Sequence, residues 1–300
     1  MLAPGKHNPK IIIMNIVAIK DQRYPALLKK ISKSAPKQLY YKGNWDKDIF
    51  KNCLAVVGSR QMTSYGKRAV EQIVTEVATA GITIVSGFMY GVDAMAHKAA
   101  LNAGGRTIAV MPCGIDLIHP EYQQDLYTEI LNSKGLIISE YDGTMQPANW
   151  TYPKRNRIVA GLSKACLVIE AGEKSGSLIT ANFAKKFKRK VFVVPGQIFS
   201  ENSKGIMELL KQGATPVSSA KDILDYYGLG NLVSKKETKF PDGVIGILEN
   251  QIITKLRNEA LGADELARAF GVSAANLGVT LSMMQLRGLI RQDGSRYYID

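Results

Sequence analysis

CLAVVGSRQMTSYGKRAVEQIVTEVATAGITIVSGFMYGVDAMAHKAAL, residues 53–101, is the stretch that decides the fold. Its apolar run 54–57 ends in Gly58-Ser59-Arg60, a segment with helical periodicity covers 65–80, and a second apolar run, 82–85, ends in Ser86-Gly87. Strand, helix, strand at this spacing is a βαβ unit with a right-handed crossover. Both strands stop at small residues, so a ligand can come close to the backbone at their carboxyl ends. Thr63 or Ser64 caps the helix, and the amides beyond the cap suit an anion. The second strand runs into Gly91-Val92-Asp93, where another helix begins. Two helix starts are therefore expected to open beside one strand edge, with Arg60 between them, which is the shape of a phosphate site. After Gly58 the next glycine is Gly66, so the dinucleotide fingerprint and the Walker loop are both absent, and nothing specific supports NAD or ATP. Tight strand-to-helix turns alone would also use these glycines. No cofactor is expected.

The alternation continues downstream. Further strands are predicted over 107–112, 136–140, 165–170, 191–194 and 215–217, with helices over 121–132 and 220–227 and another opening at Ser203-Lys204-Gly205. Roughly seven parallel strands with helices between them predict an α/β, Rossmann-like, doubly wound and mostly parallel sheet. A polar loop, 141–153, carries Pro147, Trp150 and Tyr152 and leads into YPKRNRIVAGLS (152–163). Lys154, Arg155 and Arg157 cannot all point one way on a helix, so part of this set is structural and the rest can meet phosphate, which a guanidinium fork matches. In AGEKSGSLITANFAKK, Gly172 and Gly176 make a turn, Ser175 or Ser177 caps a helix, and Thr180 lies one turn in. This is a second anion-binding helix start.

Around this domain, 51–228, the flanks read differently. Residues 1–50 are a tail followed by extended runs at 11–19 and 38–41 about a small helix near 24–31, an edge extension of the main sheet. Residues 229–240 are polar and form a linker. Residues 241–300 hold helical patterns over 244–258, 262–270 and 273–286 and a hairpin around Asp293-Gly294, a small C-terminal winged-helix domain.

Charge separates these parts. Thirty-nine Lys and Arg against 26 Asp and Glu leave +13 overall, distributed as +7 over 1–50, +7 over 51–239 and −1 over 240–300. A polyanionic partner is implied for the first two segments, while the winged helix reads as an interaction or packing module rather than a duplex-DNA reader. The three cysteines, Cys53, Cys113 and Cys166, show no CxxC pairing, which argues against structural zinc and a disulfide framework and for buried thiols in a reducing compartment. No run of about 18 apolar residues is present. A cytoplasmic protein with no membrane association is expected.

Six motifs stand in order: VVGSR (56–60), SGFMYGVDAMAH (86–97), GGRTIAVMPCGID (104–116), YPKRNRIVAGLS (152–163), SGSLITA (175–181) and VFVVPG (191–196). Over about residues 24–227, and more weakly in the tail domain, the chain resembles the bacterial DNA-processing protein A family, DprA, also called Smf. The resemblance implies a Rossmann-like domain that binds single-stranded DNA, forms a homodimer, protects incoming DNA and helps load the recombinase RecA in natural transformation and recombination. Many members also carry an N-terminal helical domain, which is not expected in this sequence. The DNA-contacting arginine of the family's GSR motif matches Arg60, its phosphate pocket matches Ser86, Gly87, Ser175, Gly176 and Ser177, and its RNR segment matches Arg155 and Arg157. With their neighbours Gly58, Ser59, Phe88, Gly91, Lys154, Asn156, Lys174 and Thr180, these are the candidate DNA- and phosphate-binding residues. Where the family usually has GLA, this chain has Phe88, Met89 and Tyr90, and Tyr90 or Phe88 either stacks on a base or packs. Near Gly205 the family usually has an Asn where this chain has Met207.

Asp93 and His97, four residues apart on one helix, offer too few ligands for a metal. They are expected to support the site floor, with Asp93 fixing the His97 ring or capping the helix, and Glu170 is a further supporting residue with no nucleophile evident beside it. No catalytic residue is therefore expected. The alternative class is a nucleotide-binding or nucleotide-hydrolysing Rossmann enzyme of the phosphoribohydrolase type. Such enzymes carry a PGGxGTxxE segment with a catalytic glutamate, where this chain has AGEKSGSLIT.

Overall fold

The computed structural model of the chain describes residues 15–230 and 246–299, and the chain divides into two compact units at residues 232/233. The first is a nine-stranded sheet of β1 (Ile16–Ala18), β2 (Gln38–Gly43), β3 (Cys53–Val57), β4 (Thr83–Ser86), β5 (Thr107–Gly114), β6 (Leu136–Tyr141), β7 (Ala165–Val168), β8 (Lys190–Val193) and β9 (Thr215–Pro216). Eight helices accompany it: α1 (Ala26–Lys29), α2 (Ser64–Thr79), α3 (Val92–Asn102), α4 (Gln124–Asn132), α5 (Thr151–Leu162), α6 (Gly176–Lys186), α7 (Lys204–Lys211) and α8 (Ala220–Tyr227).

The spatial order is β1-β2-β6-β5-β4-β3-β7-β8-β9. From β3 to β9 neighbouring strands are parallel, while β2 and β1 add antiparallel at the β6 edge. This is the doubly wound, mostly parallel α/β sheet that the sequence predicts. Every residue of β3 is buried, as a continuous apolar run in a central parallel strand must be. Alternate residues face opposite ways: Leu54 and Val56 pack in the layer of α2, α3 and α8, and Ala55 and Val57 in the layer of α1, α5, α6 and α7. Helix α2 turns Val70, Ile73, Val74 and Val77 inward, the spacing that puts one apolar stripe on a sheet. Chain growth runs outward from β3 to β6, then returns to place β7 against the other side of β3. The switch point lies between β3 and β7, where the loops after the two strands diverge and leave a crevice.

Thr151 to Pro153, expected in the polar loop, form the first turn of α5. Proline is tolerated there because a first-turn N–H has no intrahelical partner to lose. Residues 1–10, expected as a tail, and 231–240 of the expected linker lie outside the described residues.

The second unit contains α9 (Ile247–Leu256), β10 (Leu261–Gly262), α10 (Ala263–Phe270), α11 (Ala274–Leu286), β11 (Arg291–Asp293) and β12 (Arg296–Tyr298). Its three strands lie in the order β10-β12-β11. Ile252, Leu256, Leu266, Leu277, Leu281 and Met284 form its own core. Gly271 (φ 65°) makes the turn between α10 and α11, and Gly294 (φ 59°) the hairpin between β11 and β12. The arrangement is a winged helix.

Candidate nucleic-acid interface

At the switch point the carboxyl ends of β3, β4 and β7 border a cleft of about 520 Å³. Of the residues singled out from the sequence it collects Gly58, Ser59, Arg60, Gly87, Asp93, Arg155, Asn156, Lys174, Ser175, Gly176, Ser177 and Thr180. The loop after β3 is shaped from two sides. The Ser59 hydroxyl accepts from the Gln61 amide at 3.0 Å and donates to Asn202 Oδ1 at 3.3 Å, and Asn202 Nδ2 donates to the Gln61 carbonyl at 2.7 Å. From the other side Gly91, at φ 78°, comes so close that a Cβ would lie 2.4 Å from the Ser59 carbonyl oxygen and 2.7 Å from Arg60 Cα. Only glycine fits that approach.

The three helix starts at this edge differ in what fills them. At α6, Ser175 is the N-cap and accepts from the Ser177 amide at 3.3 Å, its hydroxyl lies 2.7 Å from that of Ser177, and the first turn holds no acidic residue. That end of the helix faces the cleft and carries its partial positive charge into it. Helix α2 is closed: Glu170 accepts from the Thr63 amide at 2.9 Å and from its hydroxyl at 2.5 Å, while Thr63 itself caps Gly66. Helix α3 holds Asp93 in its first turn, partly buried and accepting from the Met89 amide at 3.4 Å, while the Val92 amide donates to the Ser59 carbonyl at 3.2 Å and the Ala94 amide to the Met89 carbonyl at 2.9 Å. The expectation of two open starts flanking Arg60 is thus corrected. The protein's own groups occupy both, Glu170 at α2 and the Ser59 and Met89 carbonyls at α3, because a buried helix end needs partners for its amides.

Arg155 is buried, donating to the Gly87 and Val110 carbonyls and to Asn156 Oδ1. It faces Asp93 across Gly87, where any Cβ would strike both side chains. Burial raises the Asp93 carboxyl above its usual range despite the cation, and lowers Arg155 to about 10, with Arg60 adding to that fall. For both groups desolvation outweighs their mutual attraction. Arg157 holds Glu140 with one nitrogen at 2.6 and 2.7 Å from its two oxygens, and Lys154 reaches the same carboxylate at 3.7 Å beside the Tyr141 and Trp150 rings. The expected basic trio therefore supplies no free cation to the cleft. Its charges are consumed by buried carbonyls and by Glu140, a carboxylate 14 or more residues away in sequence. Arg60 and Lys174 are the exposed cations lining it, and neither forms an ion pair among the described residues.

Phe88 is corrected as a stacking residue. Its backbone is left-handed (φ 60°), and its ring is fully buried against Tyr127 and His97. Ser86 is also buried, its hydroxyl donating to the Val56 carbonyl at 2.7 Å. His97 is paired through Nδ1 with the Thr107 hydroxyl at 2.6 Å, not with Asp93, so Asp93 does not orient it. Burial holds the ring neutral, with its pKa lowered to about 3. The sequence reading missed the contributions of Tyr152 and Asn202. Tyr152 was visible as the first residue of the YPKRNR motif, whereas nothing local marks Asn202.

The DNA recombination-mediator protein A family matches residues 15–228, and the DprA winged helix domain matches residues 247–294. The chain is 42% identical over 207 residues to the DNA processing protein DprA of Streptococcus pneumoniae, covering 69% of this chain and 72% of that protein. The X-ray structure of DprA from that species aligns with a TM-score of 0.66 and 39% identity over 71% of this chain and 74% of that one. Protein Smf of Synechocystis is 33% identical over 312 residues, covering 92% of this chain and 78% of its own length. The DNA processing protein A of Helicobacter pylori, whose structure describes a single-stranded DNA binding mode, aligns with a TM-score of 0.63 and 30% identity over 72% of this chain and 96% of that one.

Proposed function

The chain belongs to the DNA recombination-mediator protein A family, and from that premise we propose that it binds single-stranded DNA in the switch-point cleft and acts by binding rather than by catalysis. One observation carries the reading: the cleft combines an open helix start at Ser175–Ser177 with the exposed cations Arg60 and Lys174, which form no ion pair among the described residues. A backbone phosphate takes charge-assisted hydrogen bonds from such a group, and contacts of this kind read no base edges, so binding is tolerant of sequence. The set of binding residues is Gly58, Ser59, Arg60, Gly87, Asn156, Lys174, Ser175, Gly176, Ser177 and Thr180. Gly91, Asp93, Arg155 and Glu170 shape or support it.

In the cell, the cytoplasmic protein protects incoming single strands and passes them to RecA during transformation and recombination. A homodimer places two clefts on one strand, and the second contact gains from the high local concentration of the first. The family's role as a recombination mediator supports these steps.

The test is titration of a fluorescent oligo-dT and a matched duplex across salt, with Arg60→Ala alongside. Preference for the single strand with a log–log slope of about −0.7 per phosphate contact is expected. Arg60→Ala, still folded by circular dichroism, should bind about ten-fold more weakly, with a slope shallower by about one contact. Duplex preference, or base release from nucleoside monophosphates, would overturn the proposal.

A further inference from the structure

Among the described residues no carboxylate pairs with Arg60, yet its guanidinium is placed. Its Cζ lies 5.5 Å from the centroid of the Tyr90 ring and 5.5 Å from that of Tyr152. The two rings arrive from different parts of the sheet: Tyr90 from the loop between β4 and α3, Tyr152 from the first turn of α5. Tyr152 is held in turn. Its hydroxyl pairs with His119 Nε2 at 2.8 Å, and the two rings meet edge-on at 6.0 Å. His119 belongs to the segment between β5 and α4, so the segments after β4, β5 and β6 together hold the arginine that follows β3.

The choice of holder matters chemically. A carboxylate would fix the arginine but neutralise it and compete with phosphate for its N–H groups. Aromatic faces attract the cation through the ring quadrupole and leave those donors free. An unheld arginine would instead lose much of its side-chain rotamer freedom when it met the strand.

Resting on the reading of the cleft as a single-strand site, we propose that Tyr90 and Tyr152 are positioning residues that hold the Arg60 guanidinium ready for a backbone phosphate, with His119 fixing the Tyr152 ring. The tyrosines act through Arg60 rather than by stacking on bases themselves.

A double-mutant cycle on the full chain, read as oligo-dT affinity and salt slope, tests this. Tyr90→Ala should weaken binding about three- to ten-fold, and Tyr90→Phe, which keeps the ring, should restore it. In the Arg60→Ala background, Tyr90→Ala should have no further effect. His119→Gln should weaken binding when Arg60 is present and not when it is absent. Thermal melts of each variant separate lost binding from lost folding, and a Tyr90→Ala chain that does not fold leaves the cycle to be run with Tyr90→Leu. An equal loss from Tyr90→Ala with and without Arg60, or no loss at all, would overturn the proposal while leaving the cleft reading intact. Wild-type affinity in folded Arg60→Ala would overturn both.

Discussion

Arg60 and Arg155 line the same cleft and are chemically identical, but burial gives them different work. Arg155 spends its donors on the carbonyls of Gly87, just past β4, and Val110, in the neighbouring β5, and so ties the β4 turn to β5. Removing a buried, hydrogen-bonded cation leaves those carbonyls without its donors and takes the nearby positive charge away from Asp93. Arg155→Ala is accordingly expected to cost about 3–5 kcal/mol of unfolding free energy, seen as a lower urea midpoint, whereas Arg60→Ala should leave that midpoint nearly unchanged. His97 makes a pH-dependent contribution. Its folded pKa of about 3 lies below the ordinary value of 6.5, so the unfolded chain takes up a proton that the folded chain refuses. The stability is fully present above about pH 6.5 and is lost as pH falls towards 3, at about 1.4 kcal/mol per pH unit. Between pH 7 and pH 5, urea unfolding should lose about 2 kcal/mol from this residue, and a folded His97→Asn chain should lack that part of the decline. The raised Asp93 carboxyl acts in the opposite sense, so the difference between the two proteins, rather than either curve alone, isolates His97.

At the scale of elements, function follows from which helix start is left open. Helices α2, α3 and α6 all begin at the carboxyl edge of the sheet; Glu170 fills the first, and the Ser59 and Met89 carbonyls take amides of the second. The open start of α6 works only with the β3 loop drawn in beside it, and Gly91 permits that approach. A methyl group at Gly91 would meet the Ser59 carbonyl and Arg60 Cα, on a backbone at φ 78° that L-residues rarely adopt. Gly91→Ala should therefore push the loop carrying Arg60 away from the cleft. Oligo-dT affinity is expected to fall by at least as much as in Arg60→Ala, about ten-fold, with a stability loss of about 1–3 kcal/mol. A chain that keeps full affinity would show that the loop has other ways to reach the strand.

At the scale of the whole molecule, charge and site lie in the same part of the chain. Residues 1–239 carry a surplus of 14 positive charges and residues 240–300 a net −1. The cleft lies within the unit that ends at residue 232, which has its own cores. A chain ending there should bind oligo-dT within about three-fold of the full-length protein and with the same salt slope, since the phosphate contacts that set the slope are retained. Among the described residues no single helix is long and apolar enough to cross a membrane.

The alternation of apolar runs with amphipathic segments was enough to predict a doubly wound sheet, because burial on both faces forces continuous apolar strands and helical stripes, and both are periodicities of the chain itself. Glycines and serines at strand ends marked where a ligand could approach. The owner of each charge was not legible. Lys154, Arg155 and Arg157 are neighbours in a basic motif, yet Glu140 and the carbonyls of Gly87 and Val110 consume them, while Arg60 is held by Tyr90 and Tyr152. Whether a cation is free depends on which acceptors the fold brings within hydrogen-bonding distance. Those acceptors come from strands far apart in sequence, so only the tertiary structure decided which residues face the cleft.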